Sequence, residues 1–158
     1  MGLDFNADEI FEIAEQIERN GGIFYRKAAE SVEGEEKEFL LELARMEDDH
    51  EVTFAAIRKE LSDKEKASTT FDPEDEAAQY LSALAETRVF FEKELNPTNM
   101  IDILKAAVMA EKDSIVFYLG MMDLVPGKLG KDKINDIIKE EMAHIKLLSN
   151  RLARQKKQ

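Results

Sequence analysis

The chain contains no cysteine among its 158 residues. A disulfide framework, a thiolate-bound zinc or iron–sulfur site and a cysteine nucleophile are therefore all excluded. It also lacks any apolar run near the roughly 20 residues that cross a bilayer as a helix. The opening MGLDFNADEI has no basic region leading into an apolar stretch, and Asn6 stands where a myristoylation signal carries Ser or Thr. These absences predict a soluble, cytoplasmic protein. Positive charge is in short supply: 22 Lys and Arg face 34 Asp and Glu, for a net charge of −12 and an isoelectric point near 4.7. Nucleic acid and anionic membranes would be repelled, so neither is an expected partner, whereas cations, metal ions included, would be attracted. The length suffices for a single domain, residues 1–158, to bury a core without a metal as a staple. A metal held here would serve function.

Apolar residues recur at helical spacing almost throughout, and the Val, Thr and aromatic clusters between tight turns that mark strands are missing. The predicted class is all-α. The first helix is expected over about 6–31, with Asn6 as the cap and Glu9 three residues on. A short turn in SVEGEEK, around Gly34, should return a second helix antiparallel over about 35–62. Residues 63–97 then form a long crossover in which Asp72-Pro73 opens a short extra helix over 73–86. A third long helix is expected over about 98–124, starting at Pro97 or Thr98, and a fourth over about 131–154 after the VPGKLG turn. Two tight hairpins joined by a long crossover describe a four-helix bundle with ferritin-like connectivity, not a simple up-down-up-down one.

Only two histidines are present, and each follows a Glu by three residues: Glu47-x-x-His50 in MEDDHEV and Glu141-x-x-His144 in EEMAHIK. Steps of three and four along the apolar stripe of the second helix, from Leu43 to Phe54, land on Glu47 and His50. In the fourth helix Glu141 and His144 interrupt the stripe made by Ile134, Ile137, Ile138, Ile145, Leu148 and Leu152. The third helix steps through Ile101, Leu104, Val108, Glu111, Ile115, Tyr118 and Met122, and the first through Phe11, Ala14, Glu18, Gly21/Gly22, Tyr25 and Ala28. Each carries one Glu at a core position and a Tyr seven residues later, about two turns along the same face. The halves thus form a weak internal repeat, with 29 residues from Glu18 to Glu47 and 30 from Glu111 to Glu141.

Four ionised carboxylates in an apolar core would cost several kcal/mol each, so they demand compensation. Two divalent cations balance them, and each imidazole adds a neutral nitrogen ligand; Glu and His at i, i+3 reach one centre from one helix. The set of Glu18, Glu47, His50, Glu111, Glu141 and His144 is accordingly read as a di-metal site suited to iron or manganese, with zinc as a redox-silent occupant. A lone Glu-x-x-His in so acidic a chain would be a pair of surface neighbours; two such pairs that consume every His and sit on core stripes would not. Tyr25 and Tyr118 divide between core packing and hydrogen bonds to metal-ligating Glu. Met109, Met121, Met122 and Met142 read as core filling. Glu15, Glu30, Asp48, Asp49, Glu51, Asp113 and Glu140 read as solvated faces, with Glu15 and Glu140 nearest the stripes. Gly21-Gly22 is either a close helix contact or room left beside Glu18.

These residues resemble the di-iron site of the ferritin-like superfamily. More narrowly, IERNGGIFYRKAAE, ELARMEDDHEVTF, AEKDSIVFYLGM and IIKEEMAHIKLL resemble the rubrerythrin branch over roughly residues 8–154. The resemblance implies a homodimer or larger assembly and a centre of two iron ions. It also implies reduction of hydrogen peroxide or dioxygen or, in relatives, oxidation of Fe(II). A redox-silent metal-bound scaffold is the remaining alternative. Typical rubrerythrins add a cysteine-ligated rubredoxin domain that feeds in electrons, which here would come from a separate donor protein. They also carry a second Glu three residues after the third-helix ligand, where this chain has Ser114.

Overall fold

The computed structural model describes residues 7–60, 99–122 and 128–157. They form α1 (Ala7–Ala29), α2 (Glu35–Glu60), α3 (Met100–Met122) and α4 (Lys128–Lys156). Asn6, the extra helix expected over 73–86, the crossover 63–97 and the Pro97/Thr98 start lie outside the described residues.

Local chemistry sets the helix ends. The last turn of α1 tightens, with the Ser31 N–H donating to the Ala28 carbonyl at 3.0 Å, and the chain then reverses through Gly34 at φ 67°. Only glycine adopts that conformation without a steric penalty of about 1–2 kcal/mol. Gly34→Ala is therefore expected to destabilise the fold by about 1 kcal/mol in denaturant titrations, since nothing lies within 4 Å of an added Cβ and only backbone strain is introduced. Asp and Glu fill the first turns of α1 and α2, and basic residues their last turns, as the helix dipole favours. The cap of α3 is Asn99: its Oδ1 accepts from the Asp102 N–H at 2.9 Å, while its Nδ2 donates to the Asp102 carboxylate at 3.0 Å. Helix α4 begins at Lys128, three residues ahead of the expected 131, so Gly130 is helical and not part of the turn. A first-turn residue has no intrahelical N–H bond to lose, which makes glycine cheap there.

Ion pairs give the directions. Along α1, Asp8, Arg19 and Arg26 meet Arg58, Glu51 and Asp48 of α2 in reverse order. The same reversal relates α1 to α3, where Glu18 meets Tyr118 and Tyr25 meets Glu111. Helices α2 and α3 are hence parallel, with Glu60 and Met100 at opposite ends of the bundle, as a long crossover requires. A Cβ at Gly22 would come within 2.9 Å of the Arg26 guanidinium and 3.0 Å of the Asp48 carboxylate, both ends of flexible side chains that can shift, and 3.8 Å from the Ala44 carbonyl of α2, so the α1–α2 contact does not by itself require glycine there.

Two apolar clusters fill the bundle. One contains Ile10, Phe11, Ile17, Phe54, Ile57, Phe117, Met121, Ile134 and Ile137; the other contains Phe24, Leu40, Leu43, Met100, Ile103, Leu104, Ala107 and Leu148. Two sequence expectations change here. On α3 the fully buried face runs through Ile103, Ala107, Ala110, Ser114, Phe117 and Met121 as well as Leu104, Glu111 and Tyr118, whereas Ile101, Val108, Ile115 and Met122 sit at its edges. That helix is apolar on nearly every side, so its period could not set the phase. Met109 and Met142, expected in the core, are 52% and 58% exposed, while Met121 is buried. Among the described residues, no helix is long and apolar enough to cross a membrane.

Candidate metal centre

Between the two apolar clusters lies a polar layer, and all six expected ligands are in it. Glu18, Glu47, His50, Glu111, Glu141 and His144 are each at most 3% exposed. They fall into two groups, Glu18, Glu47, His50 and Glu141 on one side and Glu47, Glu111, Glu141 and His144 on the other. Within each group one ligand atom per residue lies within 4.8 Å of every other, close enough for one metal ion. Glu47 and Glu141 belong to both groups. If each group held an ion, Glu47 and Glu141 would be shared between the two, while Glu18 with His50 and Glu111 with His144 would each belong to one. The two imidazoles stand nearly parallel, their centroids 5.5 Å apart and their planes 18° from each other.

Hydrogen bonding shows which atoms are committed. The Tyr118 hydroxyl donates to Glu18 Oε1 at 2.6 Å, and the Tyr25 hydroxyl to Glu111 Oε1 at 2.7 Å. Each tyrosine therefore serves the carboxylate of the opposite half of the repeat. The other oxygens, Glu18 Oε2 and Glu111 Oε2, have no hydrogen-bond partner. Nor do Glu47 Oε1, both oxygens of Glu141, His50 Nδ1 and His144 Nδ1. His50 Nδ1 approaches Glu141 Oε1 to 2.6 Å, but without the alignment of a hydrogen bond. His144 Nδ1 lies 3.4–3.6 Å from Glu47, Glu111 and Glu141. Among the described residues these seven atoms are the buried side-chain N and O atoms without a partner, and all belong to the six expected ligands. Folded chains leave few such groups, because each costs about 1–3 kcal/mol.

Burial dominates the ionisation of this layer. It pushes Glu47 and Glu141 well above the usual carboxylate range, with the charge of Glu111 next in importance. Burial would raise Glu111 too, but the close approach of Glu141, His144 and Glu47 together outweighs it and lowers this group to about 2. For His50, burial favours the neutral ring, yet Glu141 and Glu18 push it up to about 11. His144 is likewise lowered by burial and raised by Glu111 and Glu141, to a net value of about 10. Tyr25 and Tyr118 are raised by burial and then by their carboxylate neighbours, which keeps both hydroxyls as donors.

Two neighbours of the layer depart from the sequence reading. Glu140, read as a solvated residue, is 62% exposed but reaches inward, its Oε2 2.5 Å from His50 Nε2. Its signal was only its place one residue before Glu141, because contact with α2 depends on how the hairpins meet. Ser114 is buried, and its hydroxyl donates to the Ala110 carbonyl at 3.0 Å, within its own helix. Glu15 is held by Arg58 at 2.8 Å, away from the centre.

The sequence matches no family model and no curated protein. Among solved structures, it is similar to a crystal structure, at 2.30 Å, of a Thermotoga maritima protein described as a candidate ferritin-like diiron-carboxylate protein. The superposition has a TM-score of 0.73 at 23% identity and covers 96% of this chain and 97% of that one. The fold is ferritin-like. In this ferritin-like bundle the Glu/His layer lies midway along the four helices, where each contributes at least one buried carboxylate and α2 and α4 each add an imidazole.

Proposed function

We propose that the chain is a di-iron oxidoreductase of rubrerythrin type. In this reading hydrogen peroxide or dioxygen is reduced, with electrons from a separate donor protein. The observation that carries the reading is the set of seven unpartnered buried atoms, all on Glu18, Glu47, His50, Glu111, Glu141 and His144. The donor set, four carboxylates and two imidazoles, fits two divalent ions in charge and ligand type. Iron is preferred over manganese or zinc because the similar Thermotoga maritima protein is described as diiron. Two iron ions held there would supply together the two electrons that splitting peroxide to water requires. The residues of the chain have their own tasks. Tyr118 and Tyr25 fix one oxygen of Glu18 and Glu111, so that the second oxygen points into the centre. The apolar clusters on either side keep bulk water from the layer, which strengthens each electrostatic contact within it.

A second reading, ferroxidase or iron-handling chemistry, draws support from Ser114. Its hydroxyl is tied to its own backbone, so the exchangeable extra Glu of typical rubrerythrins has no counterpart at this position. Turnover separates the two. Catalytic loss of peroxide with a reductant supports the first reading, and iron retained beyond two per chain supports the second. A protein without di-iron absorbance after anaerobic Fe(II) loading and oxygen exposure would overturn both and leave a redox-silent scaffold.

Metal loading is also expected to release protons. At neutral pH the imidazoles, with values of about 11 and 10, carry protons that their Nδ1 lone pairs must lose before ligating. Glu47 and Glu141, raised by burial, add to the release. Affinity should therefore rise with pH from neutrality to about 10–11, where both imidazoles become neutral. Calorimetry in buffers of different ionisation enthalpy measures the protons released, and a pH-independent affinity would contradict this ionisation scheme.

A further inference from the structure

One difference between the two halves of the centre lies just before the Glu of each Glu-x-x-His motif. In the Glu-x-x-His motif of α4 the residue before the Glu is Glu140, and in that of α2 it is Met46. Glu140 crosses to the other hairpin and meets His50 Nε2 at 2.5 Å, at an imidazole only 4% exposed. The ring N–H at Nε2 then donates to the carboxylate, which leaves Nδ1, the nitrogen facing Glu18 and Glu141, as the one that can ligate once deprotonated. Met46 offers no comparable acceptor. It is half-buried and packs against the Leu43–Leu104 cluster, and among the described residues no carboxylate touches His144 Nε2. Tyr25 and Tyr118 match each other across the halves, whereas among the described residues the Glu140–His50 contact has no counterpart.

We propose that Glu140 makes the two metal positions unequal, so that the position formed by Glu18 and His50 fills first and holds its ion more tightly than that formed by Glu111 and His144. The inference rests on the di-metal reading above. Glu140 is a positioning residue: it fixes the tautomer and angle of His50 and raises the basicity of its free nitrogen. Loss of such a partner lowers metal affinity by about 10–100-fold.

The test is titration of the metal-free, full-length chain with Co(II), followed by calorimetry and by the visible absorption of the bound ion. Wild-type protein should show two steps, the tighter of which survives in H144A and disappears in H50A. In E140A the tighter step should weaken by about 10–100-fold while the weaker one keeps its affinity. M46E places a carboxylate at the corresponding position and should tighten the weaker step alone. Equal steps in the wild type, a tight step that survives in H50A, or a tight step unchanged in E140A would each overturn the proposal while the di-metal reading stands. A wild-type chain that takes up no Co(II) would overturn the di-metal reading itself. Because Glu140 is on the surface, circular dichroism of E140A should match the wild type.

Discussion

Glu141→Ala is expected to abolish the binding of both metal ions, a loss shared only by Glu47→Ala, the other carboxylate common to both ligand groups. Glu141 belongs to both ligand groups, and both of its oxygens are buried without a hydrogen-bond partner. Removing it leaves each ion one ligand short and unbalances the charge shared between them. Glu18→Ala and Glu111→Ala should be milder. Each removes a ligand from one group only, so one ion per chain should remain. Metal content after loading and gel filtration reads these outcomes directly: near zero per chain for Glu141→Ala and near one for the other two. One ion retained by Glu141→Ala would show that this residue does not bridge.

Chelation of the loaded protein should lower its thermal midpoint by roughly 10–20 °C. A ligand at 100 times its dissociation constant adds about 2.7 kcal/mol per site, and two sites double this. For a domain of this size each kcal/mol moves the midpoint by roughly 2–4 °C. The seven unpartnered atoms give the structural reason: ions would satisfy polar groups that the folded chain otherwise leaves unpaired. The metal-free chain should nevertheless remain folded, because both apolar clusters, with Phe11, Phe54 and Phe117 in one and Leu40, Leu43 and Leu104 in the other, are formed by the protein alone. Scanning calorimetry with Fe(II) under anaerobic conditions, then with a chelator, measures the difference. An unchanged midpoint would argue that the layer holds no ion.

A polar residue that interrupts an apolar period is legible in the sequence itself. Glu18, Glu47, His50 and Glu141 stood out in amphipathic helices, and the structure brings them together with Glu111 and His144. Helix α3 lacks such a signal on most of its length. There apolar residues surround the helix, so Met109 could not be told from Met121, nor the true core row through Ser114 from the neighbouring one. Asn99 caps α3 because its side chain reaches the Asp102 N–H, a contact that composition does not reveal.

By itself the sequence determined the helical class, the two hairpins and the six residues of the polar layer. Each of these follows from the fixed rise and period of a helix, which place residues three, four and seven apart on one face whatever else the chain does. Only the tertiary structure decided which residues meet across the bundle. Tyr118 pairs with Glu18, Tyr25 with Glu111, and Glu140 with His50, over sequence separations of 100, 86 and 90 residues. Those contacts depend on how one hairpin sits against the other, and packing sets that arrangement.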